Sequence, residues 1–211
     1  MTRLDRSALA LAVSLSALAG YVDALGFLKL GGYFVSFMSG NSTQAGVDLI
    51  KGGPLLPFLL ILGFVAGVIG GSMLGPAAGK NRRPALLGVV ALLLLAAAGF
   101  HLAGWDAAVL AAMVLAMGAE NTIFEENGDV RFGVTYVTGS LVKMGQHIAS
   151  ALRGGRRGDW VPFFLLWAGL VAGAIAGGAS YLRWGLGSLW IAGSAALVLT
   201  GFAATSTRSD R

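Results

Sequence analysis

Two stretches of this 211-residue chain carry polar groups in an order suited to holding a small solute or ion. Ser36-Phe-Met-Ser-Gly-Asn-Ser-Thr-Gln44 and Thr135-Tyr-Val-Thr-Gly-Ser-Leu-Val-Lys143 both read hydroxyl, aromatic, apolar, hydroxyl, glycine, 99 residues apart. The candidate contacts are Ser36, Ser39, Asn41 and Thr43 in the first stretch and Thr135, Thr138 and Lys143 in the second. Asn41 is the most informative, since its amide donates and accepts together. Gly40 and Gly139 hold the same place in each copy and suit a helix break or a close backbone approach. A helix starting at such a break turns its positive end and its free N–H groups toward a ligand. Hydroxyls that merely satisfy freed backbone groups would give the same pattern.

The carboxylates form a second set. Asp23 follows a run with no charge since Arg6, and Glu120 stands beside Asn121, which matches Asp23 at an offset of 98. A carboxylate within an apolar run must face a partner, water or the interior of a bundle. These residues are therefore read as lining a polar path, one suited to protons or cations, or else as anchors at helix ends. Lys143 and His147 lie four apart and share a face if the segment is helical. Lys143 has two destinations, an ion pair with Glu120 or the headgroups of cytoplasmic lipids.

Other chemistry is excluded by what is missing. The sequence has no phosphate-binding glycine loop, no nucleophile elbow and no His-Glu-x-x-His, and it has no cysteine. Its two histidines, His101 and His147, are far apart. No catalytic residue, metal site or cofactor is assigned. Arg153, Arg156, Arg157 and Asp159 could serve phosphate chemistry at a lipid surface, but they read more simply as a cationic anchor.

The elements that must position these residues are apolar helices. The chain is 56% hydrophobic and 12% charged, with a mean hydropathy of +0.76, against about 25% charged residues in soluble domains. Six blocks, at 9–27, 57–77, 85–104, 105–124, 160–179 and 187–204, each approach the roughly 20 residues of one bilayer crossing. The net charge of +5 sits at block ends, so it reports topology rather than nucleic-acid binding. With the N-terminus inside, twelve Lys and Arg fall on the inner side and three on the outer. Both termini are thus expected in the cytoplasm, with the first block kept as an uncleaved helix rather than a signal peptide. Segments 31–50 and 133–149 are too polar to face lipid. They are expected to be re-entrant or broken helices, with surface-lying helices as the alternative.

The halves repeat. Gly20-Tyr-Val-Asp23-Ala matches Gly118-Ala-Glu-Asn121-Thr, and Gly63-Phe-Val-Ala-Gly67 through Gly71 matches Gly169-Leu-Val-Ala-Gly173 through Gly177 at 106. Three spans per unit force the second unit into the membrane inverted, as in many secondary transporters. The expected fold is all-α, a polytopic transmembrane bundle of about six spans in a 3+3 inverted repeat, with repeat 1 at 1–104 and repeat 2 at 105–211. The glycine series Gly63, Gly67, Gly71, Gly75 and Gly169, Gly173, Gly177 mark close-packing faces, joining either the two repeats or two chains of a homodimer.

Gly20-Tyr-Val-Asp23-Ala, Phe37-Met-Ser-Gly-Asn41-Ser-Thr43 and Thr135-Tyr-Val-Thr-Gly139-Ser-Leu resemble the YoaK family (DUF1275) of small bacterial membrane proteins, over nearly the whole chain. Ser42 stands where that family typically has threonine, and Glu120 where an amide is expected beside Asn121. The resemblance implies a bacterial inner-membrane protein of roughly six spans and supplies neither substrate nor reaction. The residues favour a small secondary transporter of a small solute, with a proton or cation as the candidate coupling ion, its site at the repeat interface among membrane lipids. A passive channel and a non-transporting scaffold or lipid-acting protein are the alternatives.

Overall fold

The computed structural model describes residues 6–126, 129–130 and 137–209. Each of the six apolar blocks falls in a helix: α1 (Arg6–Leu30), α3 (Leu56–Ala78), α4 (Arg82–Leu102), α5 (Asp106–Glu120), α7 (Val161–Trp184) and α8 (Leu189–Ser209). Two further helices, α2 (Met38–Lys51) and α6 (Val137–Leu152), carry the repeated polar phrases. No residue pattern signalled strands β1 (Glu125–Glu126) and β2 (Asp129–Val130), a minimal antiparallel pair between α5 and α6.

Punctuation is the same in both halves. α3 and α7 open with proline in the first turn, at Pro57 and Pro162, where its missing N–H leaves no bond unmade. Both close at a glycine with positive φ, Gly79 at 53° and Gly185 at 56°, a conformation that side chains disfavour. A short 3₁₀ turn then leads into α4 or α8.

Three continuous helical stretches are long and apolar enough to cross a membrane: Ser7–Leu30, Leu56–Leu102 and Val161–Thr205, of 24, 47 and 45 residues. The second and third contain the α3–α4 and α7–α8 pairs, and each is about twice the length of a single crossing. Leu62, Met73, Leu92, Ile175, Leu182 and Val198 are more than half exposed. A surface this apolar is covered by lipid. The chain is an all-α, polytopic membrane-helix bundle.

Three pairs show how the helices approach, α1 with α7, α3 with α5, and α4 with α8, while α4 also packs extensively on α5. In the first, a methyl added to Gly20 would strike the Leu170 carbonyl. One on Gly173 would strike the Ala17 carbonyl, and one on Gly177 that of Tyr21. In the second, Gly118 stands equally close to the Phe64 carbonyl and Gly67 to that of Leu115, while Gly71 lies against Ala119 and Thr122. Gly173 and Gly177 meet Ala17 and Tyr21 in rising order, and Gly67 and Gly71 meet Leu115 and Ala119 likewise, so both pairs run parallel. In the third, Gly193 meets Leu95 and Gly88 approaches Thr200, so α4 and α8 are antiparallel. Backbones this close gain dispersion contact along their length, the main attraction available between helices in lipid.

The two glycine faces are filled within one chain, so they are not open to a second copy. Gly75 differs from the rest of its series. Its missing side chain leaves room for the Arg82 guanidinium, which reaches the Thr122 carbonyl at 3.1 Å.

α2 packs on α3 and α6 on α7. At 14 and 16 residues they are about 21 and 24 Å long, and α5 at 15 residues is about 22 Å, all short of a hydrocarbon core of about 30 Å. Gly40 and Gly139 do not break helices: each lies in the first turn of one, α2 or α6. In the first half the chain bends earlier, at Gly31 and Gly32, with φ of 66° and 121°. Gly40 serves packing instead, because a methyl there would run into the Phe37 ring.

Candidate functional site

Asp23 lies two turns before the end of α1 and ties that helix to the segment leading into α2. Its Oδ1 accepts the Val35 and Ser36 backbone N–H groups at 2.8 and 2.7 Å, and its Oδ2 accepts the Ser36 hydroxyl at 2.5 Å. The Phe37 N–H is also near. Consecutive N–H groups converging on one carboxylate form an anion-binding nest. The 13-residue step from Asp23 to Ser36 has no helical period, so the sequence placed the two residues in one site without revealing this bond.

Asn41 sits in a second cradle. Its Oδ1 accepts the Phe34 N–H at 2.9 Å and its Nδ2 donates to the Phe34 carbonyl at 2.6 Å, both on a fully buried side chain. The amide closes the 34–41 loop by pairing with one residue's backbone from both ends. Ser39 and Thr43 are exposed on α2, where Thr43 donates back to the Ser39 carbonyl at 3.2 Å. Tyr33 donates to Asp48 Oδ2 at 2.7 Å, which ties the loop to α2 from the other side.

In the second copy Thr135 lies outside the described residues. Thr138 is exposed in the first turn of α6, and Asn121 donates to the Met117 carbonyl at 2.9 Å. Lys143 and His147 do share a face: both lie over the Phe163 ring of α7, at 5.8 and 5.3 Å. Lys143 makes no ion pair with Glu120. Glu120 is completely buried at the end of α5, and neither carboxyl oxygen has a hydrogen-bond partner among the described residues. Removing a polar group from water without a replacement partner costs about 1–3 kcal/mol, and more if it is charged. No cluster of metal-binding side chains occurs among the described residues.

The two phrases meet at a cavity of about 610 Å³. From the first half come Asp23 on α1 and the Ser36–Phe37 segment. From the second come Val137, Thr138 and Leu141 of α6, with Leu170 and Ala174 of α7. Phe27, Phe34 and Phe37 complete the wall. These rings form a continuous row, with centroids 5.0 Å apart for Phe27–Phe34 and 5.2 Å for Phe34–Phe37. Of the residues singled out from sequence, Asp23, Ser36 and Thr138 line this cavity. Ser39, Asn41, Thr43, Glu120, Asn121 and Lys143 do not. The phenylalanine row was not anticipated, although three phenylalanines within eleven residues beside an intramembrane aspartate were a visible signal.

The family described as "Protein of unknown function (DUF1275)" matches residues 11–202. A UPF0700 transmembrane protein of Rhizobium meliloti (strain 1021) is 39% identical over 202 residues, covering 92% of this chain and 85% of the relative. No solved structure matches the chain. The chain belongs to the DUF1275 family.

Proposed function

We propose that this DUF1275 member is a small secondary transporter whose solute site is the cavity between α1, α6 and α7. One observation carries the reading. The phrases written 99 residues apart, in different halves of the chain, supply walls of the same cavity, together with Asp23. Solute sites at the interface between inverted repeats are a common transporter design.

The helix contacts support a 3+3 inverted repeat. Exchanging α1–α3 with α5–α7 turns the α1–α7 pair into α5–α3, and maps Gly20 against Leu170 onto Gly118 against Phe64. The antiparallel α4–α8 pair maps onto itself, as elements flanking a two-fold axis do. Membrane sides follow the same scheme. Lys29, at the end of α1, bonds Asp106, at the start of α5, at 3.0 Å, which puts both on one face. Arg82 reaches Thr122 on the other, where the Lys80, Arg82 and Arg83 cluster accords with a cytoplasmic side. The N-terminus, the C-terminus and Arg153, Arg156 and Arg157 fall on that side too in a six-span bundle of the bacterial inner membrane.

Counterflow in proteoliposomes tests the function. Vesicles preloaded with the right unlabelled solute should transiently concentrate its label, and Asp23→Asn protein that remains folded should lose this. Saturable counterflow is a carrier's property; a passive leak without it would favour the channel reading.

A further inference from the structure

Asp23 is the one ionisable side chain among the described residues lining the cavity, and none of those residues is cationic. The ion pairs formed among the described residues, Lys29–Asp106 and Arg156–Asp159, lie elsewhere. Lys143, two residues past Leu141, is turned onto Phe163. The nest at Asp23 supplies N–H dipoles, which orient the carboxylate and stabilise its charge but do not cancel it. Its Oδ2 accepts one hydrogen bond where Oδ1 accepts two, and the side chain lines the cavity. The rest of the wall is aromatic or aliphatic. Ring faces attract cations, and about 610 Å³ is within the range for a drug-sized ligand.

We propose that this cavity binds an apolar organic cation, an amine or onium ion with its charge against Asp23 and its body against Phe27, Phe34 and Phe37. The assignment rests on reading the cavity as the solute site. The walls argue against the other classes. An anion would meet a carboxylate with no Lys or Arg among the described lining residues to offset it. A sugar would leave most hydroxyls facing hydrocarbon, since Ser36 and Thr138 are the only neutral polar side chains described there. A lipid acyl chain fits the rings but leaves the carboxylate unanswered.

The test is equilibrium binding of radiolabelled tetraphenylphosphonium to the full-length protein in detergent, read by scintillation proximity. We expect saturable binding that unlabelled tetraphenylphosphonium displaces and tetraphenylborate, its anionic counterpart, does not. Asp23→Asn should weaken it at least about tenfold, as expected for losing a charge-assisted contact. Because Asp23 also holds the α1–α2 segment, Phe27→Ala provides a second variant on a ring already 41% exposed, with an expected loss of about threefold or more. Three results would overturn the proposal: no saturable binding, binding unchanged in both variants, or equal displacement by tetraphenylborate or by added phospholipid. Counterflow run beside it separates the two readings. Counterflow of another solute without cation binding removes the ligand class and keeps the carrier, whereas cation binding without counterflow of the bound ion keeps the class and removes the carrier.

Discussion

Gly177 and Gly178 are neighbours on α7 with opposite surroundings, and they make a controlled test of the helix packing. A methyl on Gly177 would lie 2.8 Å from Tyr21 Cα and 2.9 Å from its carbonyl carbon, whereas one on Gly178 meets nothing within 4 Å. Carbon atoms settle about 3.5–4.0 Å apart, so the first substitution is short by about 1 Å. The obstacle is backbone, which cannot rotate away, so α1 and α7 must separate. Overpacking of this kind costs about 1–3 kcal/mol. Replacing glycine by alanine inside a helix returns up to about 1 kcal/mol at either site. Gly178→Ala should therefore be neutral or stabilising, and Gly177→Ala should fall below it by about 1–3 kcal/mol. For a chain of this size that difference is roughly 2–12 °C in Tm, measurable by intrinsic fluorescence melting in detergent. The repeat doubles the test: Gly71→Ala and Gly70→Ala on α3 should show the same ordering, since Gly71 is crowded by Ala119 and Thr122 and Gly70 is open. Equal melting temperatures within both neighbouring pairs would refute the packing.

Three further outcomes follow from single side chains. Asn41→Ala removes both bonds to the Phe34 backbone in a buried site and should destabilise by about 2–4 kcal/mol, seen as a lower Tm; an unchanged Tm would mean the cradle is not formed. Glu120→Met replaces a buried carboxyl that has no hydrogen-bond partner among the described residues with an apolar side chain of similar size, and should leave stability unchanged or raise it by up to about 1–3 kcal/mol, read as an unchanged or higher Tm, while a large loss would reveal an unseen partner. Asp106→Asn breaks an ion pair whose two ends are both well exposed, so its effect should stay below about 1 kcal/mol and shrink in high salt; a larger, salt-independent loss would contradict the exposed geometry.

Much of this architecture was legible because lipid leaves simple marks on sequence. Long uninterrupted apolar blocks located the helices, and a four-residue glycine period located their contact faces, which the Gly67–Leu115 and Gly173–Ala17 approaches occupy. What stayed hidden has no period. The bonds of Asp23 to the 35–36 backbone and of Asn41 to Phe34 depend on a bend of the chain between α1 and α2, and nothing in the residue order fixes its shape. Gly40 and Gly139 suggested breaks because glycine serves both bends and tight packing; at Gly40 the Phe37 ring decides for packing. The glycine ladder also misled at Gly75, where the neighbour is a long arginine rather than a facing helix.

Segments from opposite halves of the chain face one cavity, and site-directed cross-linking tests this directly. The natural chain has no cysteine, so Phe37→Cys with Thr138→Cys gives a clean pair across the cavity. Phe37→Cys with Leu152→Cys is the control, since Leu152 lies at the far end of α6, about 21 Å along the helix from Thr138. A short bifunctional thiol reagent applied to membrane vesicles should join 37 to 138 within one chain and leave 37 and 152 apart. Efficient joining of the control pair, or none of the first when both thiols react singly, would contradict a shared cavity.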